Sequence, residues 1–94
     1  MEKKYAKQIH EKDNVATCVA DAAKGEIVYV RLGGEETPYT VNQDIKFGHK
    51  IAIKPVKTDE YVFKYGQAIG KATQPIAVGD WVHTHNIKDH YEVR

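Results

Sequence analysis

"IAVGDWV", residues 76–82, sets an apolar residue, two spacers, a glycine, two more spacers and a second apolar residue. Glycine reaches positive φ without steric cost, so the segment reads as a tight turn feeding a strand. The same pattern, once with Asp in place of Gly, recurs at Ala22–Gly25–Val28, Ile45–Gly48–Ile51 and Val56–Asp59–Val62. Each copy runs into a short stretch rich in β-branched and aromatic residues: "EIVYVR", "HKIAI", "YVFKY" and "WVHTH". The copies start 23, 11 and 20 residues apart, too irregular for a stacked solenoid, whose signature is a fixed period. They predict a compact, mostly β fold with short strands, many turns and mainly antiparallel pairing. "YAKQI" and "YTVNQDI" are candidates for two further strands, "QAIGKA" for a short one and "GGEET" for an exposed hairpin tip.

One segment stays open between two readings. In "DNVATCVADAAKGE", residues 13–26, the positions Val15, Cys18, Val19, Ala22 and Ala23 fit helical spacing, with Asp13 as N-cap and Gly25 as stop. A strand followed by one helical turn fits almost as well.

The chain has 94 residues and no Pro/Ser-rich linker, which predicts a single domain over 1–94 with one modest core. A deep pocket of roughly 300–1,000 Å³ is hard to enclose in so little chain, so chemistry here calls for a second surface. Fourteen Lys+Arg against thirteen Asp+Glu, without a basic run, disfavour nucleic acid. No stretch approaches the ~20 apolar residues of a membrane span, and the charged "MEKKYAKQ" leads into no apolar segment. A cytoplasmic protein is expected. The single cysteine, Cys18, lies among small and apolar neighbours that offer no cation to a thiolate, and is expected in the core.

Chemistry-bearing side chains gather in four places. In "WVHTHN", residues 81–86, a strand would put Trp81, His83 and His85 on one face, with the two imidazoles about 7 Å apart. That spacing suits two ligands on a divalent metal or two contacts along a polyhydroxylated anion, although a His-x-His pair alone is more often ordinary surface. "IHEKDN", residues 9–14, is polar from His10 to Asn14; an exposed turn is its plainest reading. "GHK" adds His49 and Lys50, and "FKYG" adds Lys64 and Tyr65, each beside a turn glycine. Lysines and histidines pair with a carboxylate, and Asn, Thr and Tyr bond hydroxyls, so the set suits a small carboxylated, hydroxylated molecule. A nucleophile elbow, a CxxC pair, a P-loop and a dinucleotide fingerprint are all missing.

Taken together, "IHEKDNVAT" (9–17), "GHKIAI" (48–53), "KYGQAIGKA" (64–72) and "GDWVHTHN" (79–86) resemble the N-terminal domain of the altronate and galactarate (hexarate) dehydratases. That domain is similar to the SAF group, whose β-clip fold also occurs in type III antifreeze proteins. The resemblance implies a SAF-like β-clip with at most one or two short helical turns. It makes the turn-strand copies the corners of the clip and turns the ambiguous stretch into a strand followed by a helical turn. It further implies the small subunit of a carbon–oxygen lyase that removes water from a sugar acid and is inactive until a larger catalytic subunit completes the site. The small subunit of a sulfolactate sulfo-lyase is the alternative within the family. Isolated, the chain can form a homo-oligomer. Residues 26–44 match no motif of the family.

Dehydration removes a weakly acidic proton beside a carboxylate while hydroxide leaves the adjacent carbon, so positive charge must meet the developing enediolate. On that resemblance Lys50 and Lys64 take the carboxylate. His10, His49 and His85 are candidate acid/base or orienting groups, and His83 and His85 candidates for metal or leaving hydroxyl. Asn14, Asn86 and Tyr65 would read substrate hydroxyls. A divalent metal, iron or similar, is implied, held mainly with the partner subunit. Two non-catalytic readings compete: a SAF-type ligand- or partner-binding module, and a structural subunit that lids a partner's site.

Overall fold

The computed structural model describes residues 3–89. Among them are nine strands and no helix: β1 (Lys4–Lys7), β2 (Val15–Cys18), β3 (Ile27–Leu32), β4 (Glu35–Thr40), β5 (Lys50–Ala52), β6 (Tyr61–Lys64), β7 (Gln67–Ala72), β8 (Trp81–Val82) and β9 (Ile87–Asp89). They form a six-stranded sheet in the order β4-β3-β1-β2-β5-β8 and a three-stranded sheet β6-β7-β9. β1 and β3 run parallel, and the other pairings are antiparallel. The mostly β, short-stranded fold expected from the sequence is the one observed.

The four turn copies adopt one conformation. Their Gly or Asp has φ of 90° at Gly25, 85° at Gly48, 71° at Asp59 and 93° at Gly79. The next residue donates its N–H three residues back, from Glu26 to Ala23, His49 to Lys46, Glu60 to Lys57 and Asp80 to Ala77. This is a β-turn whose third position requires positive φ, which explains the Gly/Asp choice.

Their uneven spacing has a tertiary cause. The copies face each other two by two. Ala22 and Ile45 exchange both backbone bonds at 2.8 Å, Gly25 donates to the Val41 carbonyl, and Gly48 donates to that of Cys18. In the second pair Val56 and Ile76 exchange bonds, Asp59 donates to Ala72 and Gly79 to Ala52. Cys18, Val41, Ala52 and Ala72, each four residues ahead of its own copy, are all buried. The 23- and 20-residue spacings lie within pairs, and the 11 is the step between them.

Two pairs make two cores. Ala22, Val28, Ile45 and Ile51 pack with Cys18 and Val41, whereas Val56, Val62, Ile76 and Val82 pack with Ala52 and Ala72. Each fully buried Val or Ile contributes about 1.5–3 kcal/mol relative to exposure. Burial pushes the Cys18 thiol up to about 11, in keeping with a core residue. The pairs are joined at Gly79, where a Cβ would collide with the carbonyl oxygen of Thr40. There Asn42 donates its N–H to the Gly79 carbonyl at 2.9 Å, and Trp81 donates its own to Gln43 Oε1 at 2.8 Å.

Three local expectations change. The stretch after β2 forms no helical turn, because the Cys18 N–H goes to the His49 carbonyl and Ala22 pairs with Ile45, leaving neither for an i to i−4 ladder. The strand expected through Thr40 and onward stops there, since Val41 exchanges bonds with the first turn. The strand expected over "WVHTH" ends at Val82, and residues 83–86 turn back.

Candidate functional site

The β6–β7 hairpin is the first component. Its two central residues, Tyr65 (φ 58°) and Gly66 (φ 72°), both lie in the left-handed region, as a two-residue type I′ connection demands. Tyrosine pays roughly 1–2 kcal/mol for that conformation. The turn is held from behind by Asp13, which is 1% exposed. Asp13 Oδ1 accepts the Gly66 N–H at 2.7 Å, and Oδ2 accepts those of Ile9 and His10 at 3.2 and 3.0 Å. The His10 ring packs on Gly66 so closely that a Cβ there would lie 3.0 Å from its Cγ. Next to it, Asn14 Oδ1 accepts the Phe63 N–H at 2.7 Å while Nδ2 donates to the Tyr61 carbonyl at 3.1 Å. The polar run "HEKDN" is thus the buttress of "KYG", fifty residues further along.

Asn86 does for the second component what Asn14 does for the first. It is buried; Oδ1 accepts the His83 N–H at 2.9 Å and Nδ2 donates to the Trp81 carbonyl at 2.8 Å. The Asn86 and Ile87 N–H groups close on the His83 carbonyl. This turn carries His83, Thr84 and His85 beside Trp81. The His83 ring stacks on the indole at 5.4 Å with 10° between planes, and His85 is tilted against it at 4.8 Å. His49 lies 5.0 Å from His83, ring to ring, and its Nδ1 accepts the indole N–H at 3.1 Å.

β5 brings Lys50 between the two. Through the register Lys50↔Val82 it stands beside the Trp81–Asn86 turn, and a cleft of about 400 Å³ opens between Lys50, Lys64, Tyr65, Ile69, Thr84 and Ile87. Loss of water around the half-buried Lys50, followed by the nearby Lys64, lowers its ammonium below the ordinary lysine range. His83 is also lowered, by desolvation first and then by His49, Lys50 and His85. It therefore stays neutral further into acid than a free imidazole. Two ammonium groups meet in the cleft, Lys50 acts electrostatically on His83 beside it, and no carboxylate is among the lining residues, so an anion is the natural occupant.

The expected site residues divide accordingly. Lys50, Lys64 and Tyr65 line the cleft; His49 and His83 touch each other, with His83 close enough to Lys50 to feel its charge, and the exposed His85 rests on Trp81. His10 lies behind the hairpin and lines a separate groove with Ile9, Glu11 and residues 32–35. Asn14 and Asn86, expected to read hydroxyls, are buried and have both ends of their amides bonded to backbone, so they shape the site from beneath. Among the described residues no three His, Cys, Asp or Glu side chains are grouped to hold a metal ion, His83 and His85 included. Asp13 and Thr84 are what residue patterns missed. Asp13 reads locally as a cap, and only the contact with a distant hairpin reveals its role.

Residues 4–90 match the family model described as the altronate/galactarate dehydratase SAF domain, and the chain belongs to that family. It is 42% identical over 81 residues to an altronate dehydratase of Bacillus subtilis and 41% to that of Escherichia coli, covering 86% of this chain in each case. The chain spans 16% of the length of these two relatives. It is 38% identical to (2R)-sulfolactate sulfo-lyase subunit alpha of Chromohalobacter salexigens, across 73% of this chain and 86% of the relative. Among the described residues no helix is long and apolar enough to cross a membrane.

Proposed function

We propose that this chain is the small SAF-type component of a carbon–oxygen lyase of the altronate or hexarate dehydratase type, and that it supplies cationic and imidazole side chains to a site completed by a larger polypeptide. The observation that carries this reading is the convergence of Lys50 and Lys64 across one cleft, with the Lys50 ammonium destabilised by lost water and by its neighbour. A substrate carboxylate placed between them relieves both costs, and the benefit grows as an enediolate develops next to it. His49, His83 and His85 then stand where a leaving hydroxyl needs a proton or a hydrogen bond, and Tyr65 and Thr84 offer hydroxyls to the rest of a sugar acid. An open cleft excludes little water, so the site calls for further protein surface to close it. A divalent ion, iron or similar, would be held mainly with that larger polypeptide.

The sulfo-lyase reading rests on the likeness to subunit alpha, 38% identical across 73% of this chain. Both readings share a hydroxy-acid carboxylate and differ in the leaving group. The test is reconstitution with the larger subunit, followed by assay on hexonates and on sulfolactate. The chain alone should be inactive and the complex active. Lys50→Ala should lower kcat/KM by at least ~10²-fold, the scale of losing an electrostatic contact to a developing oxyanion. Full turnover by the chain alone, or an unchanged rate in Lys50→Ala, overturns the proposal.

A further inference from the structure

One position of the four turn copies separates three of them from the fourth. Directly after the Gly or Asp stand Glu26, Glu60 and Asp80 in three copies, but His49 in the other. In those three the carboxylate closes its own turn: Glu26 Oε1 accepts the Ala23 N–H at 2.6 Å, Glu60 Oε1 that of Lys57 at 2.8 Å, and Asp80 Oδ2 that of Ala77 at 2.8 Å. His49 makes no such bond to Lys46. Its Nδ1 is turned instead to the indole N–H of Trp81, 32 residues away on β8.

We propose that His49 is a turn-closing position given over to the site, and that Trp81 is its positioning residue, fixing the imidazole with Nδ1 as acceptor and the proton on Nε2. A neutral imidazole has one donor and one acceptor nitrogen, so a donor aimed at Nδ1 selects the Nε2–H tautomer. His49 then presents an N–H to an oxygen of the bound substrate, a role that rests on the lyase reading. Contact with His83 on one side and the indole on the other restricts the ring.

The tautomer and the turn can be read on the 94-residue chain with no partner or substrate, so their failure is separate from failure of the lyase assignment. Long-range ¹H–¹⁵N spectra should show neutral His49 protonated at Nε2, and Trp81→Phe should shift its two ¹⁵N resonances toward a mixture of tautomers. His49→Glu should melt several degrees above His49→Ala, because its carboxylate regains the bond to the Lys46 N–H that the other copies have. In the reconstituted enzyme both His49 variants should lose at least ~10-fold in rate. A Nδ1–H tautomer in the parent chain, or ¹⁵N shifts unmoved by Trp81→Phe, overturns the positioning role. Equal melting of His49→Glu and His49→Ala overturns the turn argument, and parental activity in either overturns the role at the site.

Discussion

Two hairpins with two-residue tips stand among the described residues, and they are built differently. The β3–β4 tip is Gly33–Gly34; a Cβ at either position meets nothing within 4 Å. The β6–β7 tip is Tyr65–Gly66, with a tyrosine in the left-handed region, a buried carboxylate on the Gly66 N–H and a histidine ring pressed on Gly66. The first tip is relaxed and is flanked by the Leu32–Glu35 pair. The second is strained, anchored and lines the candidate cleft. Backbone strain persists only where surrounding structure over-determines it, and here the over-determination comes from a segment fifty residues earlier.

The largest test of that contrast is Asp13→Ala, which leaves the N–H groups of Ile9, His10 and Gly66 without their acceptor. A loss of about 3 kcal/mol is expected in urea melts, from three part-buried donors that lose their partner at ~1 kcal/mol each. Glu35→Ala beside the other tip should stay within about 0.5 kcal/mol of neutral. Similar losses in both would break the comparison.

Glycine substitutions ask the same question of the backbone. Gly66→Ala meets positive φ and the His10 ring together and should cost about 1–3 kcal/mol, whereas Gly34→Ala, with open space and no positive φ, should be near neutral. Smaller again is Tyr65→Asn. Asparagine tolerates the left-handed region better, so thermal stability should rise by up to about 1 kcal/mol while activity of the reconstituted enzyme falls with the lost phenol. A destabilised Tyr65→Asn would mean that the contact of Lys64 with the Tyr65 ring, 4.9 Å away, outweighs the strain.

The finest effect is one of pH. The His83 imidazole is lowered by folding, so just below its ordinary value the unfolded chain binds the proton more readily than the folded one. Stability should therefore fall as pH drops below about 6.5 and level off below the folded value. His83→Gln should flatten this slope in melts taken from pH 7.5 to 5; an unchanged slope would assign it to other groups.

Much of the local architecture was legible in residue types. Positive φ favours Gly, Asn or Asp at a turn position, so the four copies could be found from residue type and spacing, and the β-branched runs after them became β3, β5, β6 and β8. "QAIGKA" became β7 over the same six residues. "WVHTH" was harder. Its alternation is a good strand pattern, yet Asn86 takes the His83 N–H with its side chain and ends the ladder at Val82. The site was legible in part: Lys50, Lys64 and Tyr65 were singled out by their places beside turn glycines and do share a cleft. The burial of Asn14 and Asn86 was not legible, because nothing in residue type distinguishes an exposed amide from one bonded at both ends to backbone.

The sequence by itself determined where the chain turns, which stretches become strands and which side chains bear chemistry, since these depend on φ preference, side-chain shape and residue type at short range. Only the tertiary structure decided that the turns pair two by two, that Asp13 anchors Gly66, and that His49, Lys50, Lys64 and His83 come together. Those outcomes rest on contacts between residues far apart in the chain, and each depends on how two separate segments satisfy each other's buried backbone groups.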